Sequence, residues 1–268
     1  MTTDVSEIPV VILCGGMGTR LREASERLPK PMVDIGGRPI LWHIMKIYAE
    51  HGFRRFILCL GYKSEEIKKY FLDYRHLTSD FTLRLGSGSD PEFHSTSGIE
   101  DWDITFVETG VATATAGRIK RVAPYLDQTE FALTYGDGLG AVDITSLLAH
   151  HRASGKLGTL TGVHPSSRYG EMHIDGATVV EFNEKPTLAD GWVNGGYFMF
   201  EREFVNSYID DDLRVMLESA PLQKLARDRQ LSVFEHNDFW MGMDTFRDWT
   251  ELNALWDSGQ APWKSWAG

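Results

Sequence analysis

One segment near the start of the chain constrains the fold more than any other. Residues 10–14 are apolar or β-branched, which is typical of a strand buried on both faces in a parallel sheet. Gly15, Gly16 and Gly18 follow within four positions, and their backbone can approach a ligand closely because they carry no side chain. A loop of this kind can turn successive N–H groups towards an anion. The segment therefore predicts an anion-binding loop at the end of a buried strand.

The residues after these glycines indicate which anion is bound. Thr19 offers a hydroxyl, Arg20 a planar fork of donors that suits phosphate oxygens, and Lys30 a mobile charge. Two better-known glycine motifs do not fit, because no Gly-Lys-Ser/Thr follows and Leu21 stands where a dinucleotide fingerprint needs its third glycine. A glycine turn after a buried strand also occurs without any ligand. The added cations favour a polyphosphate.

Composition limits the classes of partner. The net charge of −11 argues against a general nucleic-acid-binding surface, so any phosphate must meet local positive charge. Cys14 and Cys59 are expected to be reduced core residues rather than a disulfide. Residues 1–8 are polar and acidic, and no apolar run approaches the length of a membrane span. We therefore expect a cytoplasmic protein that binds neither nucleic acid nor membrane.

Helical and strand-like patterns alternate along the chain. A helix is predicted over residues 40–48, a buried strand over 55–60, and a second helix with Ser64 as its N-cap. Residues 81–85 alternate like a half-exposed strand, and residues 172–182 are typical of an antiparallel hairpin. Further strands are predicted at residues 103–109, 131–135, 159–163 and 197–200. The pattern predicts an α/β fold with a doubly wound, mostly parallel sheet, whose ligands gather at the carboxyl ends of the strands.

Two segments carry a resemblance to a known family. Gly-Gly-x-Gly-Thr-Arg-Leu at residues 15–21, followed by Pro-Lys-Pro-Met at 29–32, resembles the signature of the sugar-1-phosphate nucleotidylyltransferases. Further matching segments are residues 39–48, 61–63, 117–122, 135–138, 184–186, 194–196, 239–240, 243–245 and 261–264. The Leu-Trp-His-Ile-Met run at 41–45 and the 261–264 segment are similar to the cytidylyl branch. The resemblance extends over residues 10–266.

The resemblance implies an organisation of the whole chain. It implies a Rossmann-like nucleotidyltransferase fold in one domain, residues 1–268, with a nucleotide- and metal-binding core over residues 8–165. A small sugar-binding part of mixed strands would follow at 166–245, and a C-terminal helix with a tryptophan-rich tail at 246–268. The eight tryptophans of the chain include Trp263 and Trp266 in a tail too short to bury them by itself. Exposed aromatic clusters mark contacts, which predicts a homo-oligomer, although packing back onto the parent domain is nearly as compatible.

The implied reaction joins a nucleoside triphosphate to a sugar 1-phosphate and releases pyrophosphate with the help of Mg²⁺. CTP and α-D-glucose 1-phosphate, giving CDP-glucose, are the expected pair. GTP or UTP with a heptose, mannose or other hexose phosphate stays open, since the chain departs from the cytidylyl pattern at Leu28, Ala114, Ala116, Gln223 and residues 241–242. A rival from another class is a non-catalytic regulator that binds a nucleotide sugar. Intact cationic and acidic positions argue against that rival.

The resemblance also implies roles for single residues. The catalytic residues would be Arg20, Lys30 and Lys185. Nucleotide binding would use Leu13, Cys14, Gly15, Gly16, Gly18, Thr19, Arg20, Lys30, Thr113, Arg118 and Gly136. Sugar-phosphate binding would use Tyr135, Glu184, Lys185, Asn194 and Gly195, and the metal would be held by Asp137 and Asp244.

Without the resemblance, several of these residues have ordinary structural explanations. An aspartate between glycines, like Asp137, is more often a turn residue, and residues 194–196 could form a tight turn. His43 and His151 lie on apolar helical patterns and are expected to be satisfied core residues. No His/Cys cluster in the sequence has zinc spacing.

Overall fold

The computed structural model of the chain describes residues 3–16, 28–86, 88, 90–94, 98–165 and 191–266, and the backbone alone of 171–175 and 178–183. The strands are β1 (Val10–Leu13), β2 (Asp34–Ile35), β3 (Arg38–Pro39), β4 (Arg55–Leu60), β5 (Phe81–Thr82), β6 (Glu92–Phe93), β7 (Asp103–Glu108), β8 (Glu130–Tyr135), β9 (Gly138–Gly140), β10 (Gly158–Val163), β11 (Glu171–Asp175), β12 (Thr178–Asn183), β13 (Val193–Glu201), β14 (Leu231–His236) and β15 (Trp240–Gly242). The helices are α1 (Ile40–Glu50), α2 (Ser64–Leu72), α3 (Tyr74–Thr78), α4 (Thr115–Val122), α5 (Ile144–Ser154), α6 (Arg202–Tyr208), α7 (Ala220–Arg227) and α8 (Phe246–Asp257), with 3-10 turns at Val5–Glu7, Lys30–Met32 and Ala123–Tyr125.

A seven-stranded sheet forms the centre of the fold, in the order β14-β10-β13-β8-β1-β4-β7. Its neighbouring strands run parallel except at β13, which is antiparallel to both β8 and β10. The prediction of a doubly wound, mostly parallel sheet is confirmed. Strand β13 begins four residues before the predicted start at residue 197.

The strand-forming residues explain why the sheet is covered on both faces. Successive side chains of a strand point to opposite faces, so a continuous apolar run must meet a core on each side. Val10 and Ile12 of β1 pack in the cluster that contains α1, whereas Val11 and Leu13 pack in the cluster that contains α4. All four are buried. Burial on both faces fixes the position of this strand and therefore of the loop that follows it.

The structure tests the predictions of secondary structure at Ser64, at residues 81–85 and at residues 172–182. Helix α2 begins at Ser64 itself, and Lys63 occupies the N-cap position with φ of 50°. The prediction of Ser64 as the N-cap is therefore wrong by one residue. The half-exposed strand predicted at 81–85 is reduced to β5, which pairs with β6. The hairpin predicted at 172–182 is confirmed by the antiparallel pairing of β11 with β12.

The C-terminal tail packs onto its own chain. Trp263 and Trp266 are buried, and both rings contact the imidazole of His43 on α1. The tail therefore gives no support to the predicted homo-oligomer, since the second explanation, packing back onto the parent domain, is the one observed. Within the described part of the chain, no helix has the length and apolar character needed to cross a membrane.

The two core histidines differ in how their ring nitrogens are satisfied. His43 is buried, with Nε2 2.8 Å from the Ile35 carbonyl and Nδ1 3.5 Å from the Trp263 indole nitrogen. It is a satisfied core residue, as predicted. His151 is also buried, but its Nε2 has no hydrogen-bond partner among the described residues. For that atom the prediction is wrong.

Candidate active site

Several predicted site residues lie at the carboxyl ends of β1 and β8, which are neighbours at the centre of the sheet. Gly15 follows β1 and Gly136 follows β8. The two strand ends are so close that a Cβ on Gly136 would lie 3.0 Å from the Leu13 carbonyl oxygen. Open α/β sheets bind ligands in such a crevice, where connections leave the sheet in opposite directions.

A buried arginine supports the start of the glycine loop. The Gly15 carbonyl accepts hydrogen bonds from Arg118 Nη2 at 2.9 Å and from the Tyr62 amide at 3.2 Å. Arg118 Nη1 also donates to the Leu60 carbonyl at 3.0 Å and to Thr109 Oγ1 at 2.6 Å. A Cβ on Gly15 would lie 1.9 Å from Arg118 Nη1, so any other residue would have to displace the guanidinium. Through these hydrogen bonds, Arg118 fixes the backbone at the start of the glycine loop.

The next residues of the loop differ in exposure. Gly16 is exposed, and a Cβ added there would meet no atom of the described residues within 4 Å. Cys14 and Cys59 are free and buried, and burial raises the pKa of both thiols. Their prediction as reduced core residues is confirmed.

Thr113 belongs to the turn that leads into α4. Its amide nitrogen lies 3.4 Å from the carbonyl of Gly110, whose φ is +91°, and its side chain is half-buried. The Ala114 amide, at the N-cap of α4, donates to the Leu213 carbonyl at 2.8 Å. The segment around Leu213 therefore covers the N-terminus of this helix.

The fold brings the two predicted metal ligands together around one lysine. Lys30 Nζ donates to Asp137 Oδ2 at 2.7 Å and to Asp244 Oδ1 at 2.8 Å. The pairing of β9 with β15 explains the approach, because it sets Gly138 opposite Gly242. The Met243 amide adds a hydrogen bond to the Asp137 carbonyl at 2.8 Å. Asp137 is thus more than a turn residue.

The charges of this trio suit a hard divalent cation. Burial by itself lowers the pKa of the Lys30 ammonium, but the neighbouring aspartates raise it overall, so the lysine is charged. The side chains of Asp137 and Asp244 are 39% and 34% exposed, whereas that of Lys30 is 11% exposed. Two carboxylates that converge on one cationic position and remain open to solvent form a donor set that Mg²⁺ accepts.

A cavity of about 110 Å³, open to solvent, lies beside the two aspartates. Tyr135, Gly195, Tyr197 and Trp240 are among its lining residues. Trp240 Nε1 donates to the Gly195 carbonyl at 2.7 Å, which fixes the indole as one wall. The cavity combines aromatic surface with exposed backbone and carboxylate oxygens, a lining that suits a sugar ring.

A polar network extends from Tyr135, one of the lining residues of this cavity. The Tyr135 hydroxyl donates to Glu218 Oε1, and the Asn194 amide nitrogen lies 3.3 Å from the same hydroxyl. Thr115 Oγ1 donates to the other oxygen of Glu218 at 3.1 Å. Burial and the Glu218 carboxylate raise the pKa of Tyr135, so the phenol is protonated and can donate. The network links the Tyr135 wall of the cavity to Thr115, the first residue of α4.

The Asn194-Gly195-Gly196 segment lies inside β13, where the register to β10 shifts, and is not a tight turn. The Gly196 amide donates to Asn194 Oδ1 at 2.9 Å. A Cβ on Gly195 would lie 2.6 Å from Val163 Cγ1. One on Gly196, whose φ is +80°, would lie 2.5 Å from the Tyr135 ring. Close packing of the strand against its neighbours therefore requires both glycines.

Sequence reasoning assigned no role to three residues of this site. Trp240 lies in the matched segment 239–240, so the motif could have identified it. Tyr197 follows the Asn-Gly-Gly motif directly, whereas Glu218 has no local signal. Five predicted residues, Gly18, Thr19, Arg20, Glu184 and Lys185, lie outside the described residues and stay predictions.

Comparison with known proteins defines the class. The chain belongs to the Nucleotidyl transferase family, whose sequence profile matches residues 9–258. The predicted family is thereby confirmed. Nucleotide and sugar-phosphate substrates are consistent with this family, whose members generally use a divalent metal ion.

Particular relatives resemble the chain over nearly its whole length. The "Probable glucose-1-phosphate cytidylyltransferase" of Bacillus subtilis is 44% identical over 96% of this chain and 99% of its own. The "Glucose-1-phosphate cytidylyltransferase" of Salmonella typhimurium is 45% identical over 96% of this chain and 98% of its own. Among solved structures, the inositol-1-phosphate CTP transferase of T. maritima has a TM-score of 0.64 at 16% identity, covering 99% of this chain and 100% of its own. That likeness concerns the fold.

Proposed function

We propose that this protein is a glucose-1-phosphate cytidylyltransferase, which converts CTP and α-D-glucose 1-phosphate into CDP-glucose and pyrophosphate. The convergence of Asp137, Asp244 and Lys30 between the glycine loop and the aromatic-lined cavity carries the proposal. The names of relatives that are 44% and 45% identical over 96% of the chain support the choice of substrates.

The proposed reaction makes one bond and breaks another. An ionised oxygen of the sugar phosphate attacks the α-phosphorus of CTP, and the bond from that phosphorus to the oxygen bridging to the β-phosphate breaks. The bonding electrons leave with pyrophosphate, and no proton has to be removed from the nucleophile. Both reactants are anions, so the protein contributes mainly by aligning them and offsetting their charge.

Asp137 and Asp244 are the proposed ligands of a Mg²⁺ ion. When bound, such an ion offsets phosphate charge that grows as pyrophosphate leaves. Lys30 lies between these carboxylates, and its flexible stem lets the ammonium exchange them for phosphate oxygens. In this proposal, Arg20 contacts the β- and γ-phosphates and Lys185 the sugar phosphate.

The two substrates are proposed to occupy opposite sides of the aspartates. In this proposal, the triphosphate contacts the backbone of Leu13, Cys14, Gly15 and Gly16. It also contacts Gly18, Thr19, Thr113 and Gly136. Arg118 acts through the loop that it supports, because its described contacts go to protein acceptors. Tyr135, Glu184, Asn194 and Gly195 bind the sugar. The half-buried network around the Tyr135 hydroxyl supports this side of the proposal.

A substrate matrix tests the proposal. Purified protein is incubated with each common nucleoside triphosphate and a panel of sugar 1-phosphates, and pyrophosphate release is measured with Mg²⁺ and with excess chelator. We expect the highest kcat/KM for CTP with glucose 1-phosphate, CDP-glucose by mass spectrometry, and no release with chelator. A different preferred pair would overturn the assigned substrates, and release with no pair would favour a non-catalytic regulator.

A homo-oligomeric state and a cytoplasmic location are two further proposals. Exposed apolar side chains on α2, α3 and the segment after β5, namely Leu72, Leu77 and Leu85, support a homo-oligomer. Light scattering that gives the mass of one subunit at micromolar concentration would contradict it. Free, buried cysteines support a cytoplasmic location.

A further inference from the structure

We propose that Glu130, His151 and Glu201 form a second cation site, suited to Zn²⁺, at the end of the sheet opposite the active site. Their ligand atoms all lie within 4.8 Å of one another. Glu130 begins β8, whose other end leads to Asp137, and Glu201 ends β13. The site is therefore separated from the active site by the full length of a strand.

The strand register places two like charges together. Glu130 and Glu201 are directly opposite each other in the antiparallel pairing of β8 with β13. Like charges directly opposite in a sheet are destabilising unless something offsets them. This register therefore creates a repulsion between the two carboxylates. A cation between the two carboxylates would remove it.

Arg152 offsets only one of the two carboxylates through hydrogen bonds. Its Nη2 lies 2.5 Å and its Nε 3.1 Å from Glu130 Oε1, and its Nε also lies 3.2 Å from Glu130 Oε2. A carboxylate has about four lone-pair directions, so Glu130 keeps acceptor capacity on its far side. The two glutamates and one arginine carry one net negative charge. That excess favours a cation at the remaining positions.

His151 supplies the observation that points to a metal rather than to a chance acidic pair. The residue is 1% exposed, and its Nε2 has no hydrogen-bond partner among the described residues. This atom lies 3.7 Å from Glu201 Oε1, which is too long for a hydrogen bond. An N–H at Nε2 would be buried and unpaired, whereas a lone pair there would face the carboxylates.

The contact of the other ring nitrogen, Nδ1, favours the tautomer that carries its proton on Nδ1 and leaves a lone pair on Nε2. His151 Nδ1 lies 2.9 Å from Thr159 Oγ1, which is a suitable acceptor for an Nδ1 proton. Metal-binding histidines commonly use one nitrogen as the ligand and donate from the other to a fixed partner. Thr159 has the position of that partner.

The donor set favours Zn²⁺ over the Mg²⁺ of the active site. One imidazole and two carboxylates suit a borderline cation, and three protein ligands leave a fourth position for water. The Glu201 side chain is 38% exposed, so it can rotate towards the ion and leave a path to solvent. A bound ion would join β8, β13 and α5, which is a structural role.

The test uses Zn²⁺ alone on full-length, chelator-treated protein. The background carries Asp137→Asn and Asp244→Asn, so the active-site pair cannot account for the metal and the result does not depend on the proposed reaction. Calorimetry is expected to give one Zn²⁺ per chain. Co²⁺ in its place is expected to give a visible absorption band that indicates a low coordination number of the bound ion.

Two variants in this background decide the assignment. Glu201→Gln keeps the shape and should weaken Zn²⁺ by about 10-fold or more, since even outer-shell partners contribute about 10–100-fold. It should also leave the metal-free melting temperature unchanged or higher, because it removes a like charge. His150→Gln, on the same helix, is the matched control and should bind Zn²⁺ normally. Absence of bound Zn²⁺, or equal affinity in Glu201→Gln, would overturn the site.

Discussion

The two ends of strand β8 hold paired carboxylates in different surroundings. At the carboxyl end, Asp137 and Asp244 share the Lys30 ammonium, and both are more than a third exposed. At the amino end, Glu130 is 7% exposed and bonded to Arg152, while Glu201 lies opposite it in the sheet. Strand β8 thus has an acidic side chain near each end, Asp137 at a solvent-exposed site and Glu130 at a buried one.

The cations explain what each end can do. A lysine ammonium is a compact charge on a flexible stem, so it can release both aspartates when substrates arrive. The planar fork of Arg152 binds one carboxylate through two parallel bonds, Nη2 to Oε1 and Nε to Oε2, and is further held by the Thr3 carbonyl at 3.1 Å. Exchange suits catalysis, whereas the fixed arrangement suits stability. Four predictions test this contrast.

The largest effect is expected from Arg152→Met. It leaves the Glu130 carboxylate buried without its partner, which should lower the free energy of unfolding by about 3 kcal/mol. Arg55→Met is the matched control, because the arginines are 30% and 26% exposed but Asp127, the partner of Arg55, is 57% exposed. That control should lose less than about 1 kcal/mol. Urea unfolding of both variants measures the difference, and equal losses would contradict it.

The active-site end should respond in turnover rather than in stability. Asp137→Asn preserves shape but removes one charge from the proposed metal pair, so turnover should fall by about 10²-fold, the scale of one preorganised electrostatic group. The KM for the triphosphate should change less. Adding Asp244→Asn should worsen turnover little, since residues that act as a unit are not additive. Steady-state pyrophosphate release measures both, and near-normal turnover in Asp137→Asn would show that the metal is misplaced.

His43 provides a reference for a buried histidine whose ring nitrogens both have partners. Burial lowers its pKa to about 4, below the unfolded value of 6.5. Its contribution to stability is therefore complete above pH 6.5 and is lost as pH falls towards 4, because the unfolded chain binds the proton more readily. The slope should be at most about 1.4 kcal/mol per pH unit. Unfolding measured between pH 4 and 7 should be less pH-dependent in His43→Gln, and an unchanged slope would refute this.

The smallest effect is expected on the sugar side. Tyr135→Phe removes the hydroxyl that joins Glu218 to Asn194, at a cost of about 1 kcal/mol, or roughly a 5-fold rise in KM for the sugar phosphate. The exposed Glu218 can then be hydrated. The KM for the triphosphate is the internal control. A rise confined to the triphosphate would place the sugar elsewhere.

Local sequence was sufficient for much of the nucleotide side. Apolar runs and glycine signals predicted the strand 55–60 with the bounds that β4 has, and β1 to within one residue. The motif around Gly15 identified the family, because a close backbone approach to an anion restricts which residues can stand there. These features depend on neighbours in the chain, which periodicity and turn chemistry describe.

Tertiary structure decided the rest, because long-range pairing leaves no periodic trace in the sequence. The β9–β15 pairing brings Asp244 to Asp137, and the β8–β13 register sets Glu201 opposite Glu130. Glu218 reaches Tyr135 from a segment with no motif. The tail tryptophans could cover a partner or their own domain, and only packing against His43 on α1 decided between the two. The sequence by itself determined the strands and the chemistry of their ends, and the fold determined which of those ends meet.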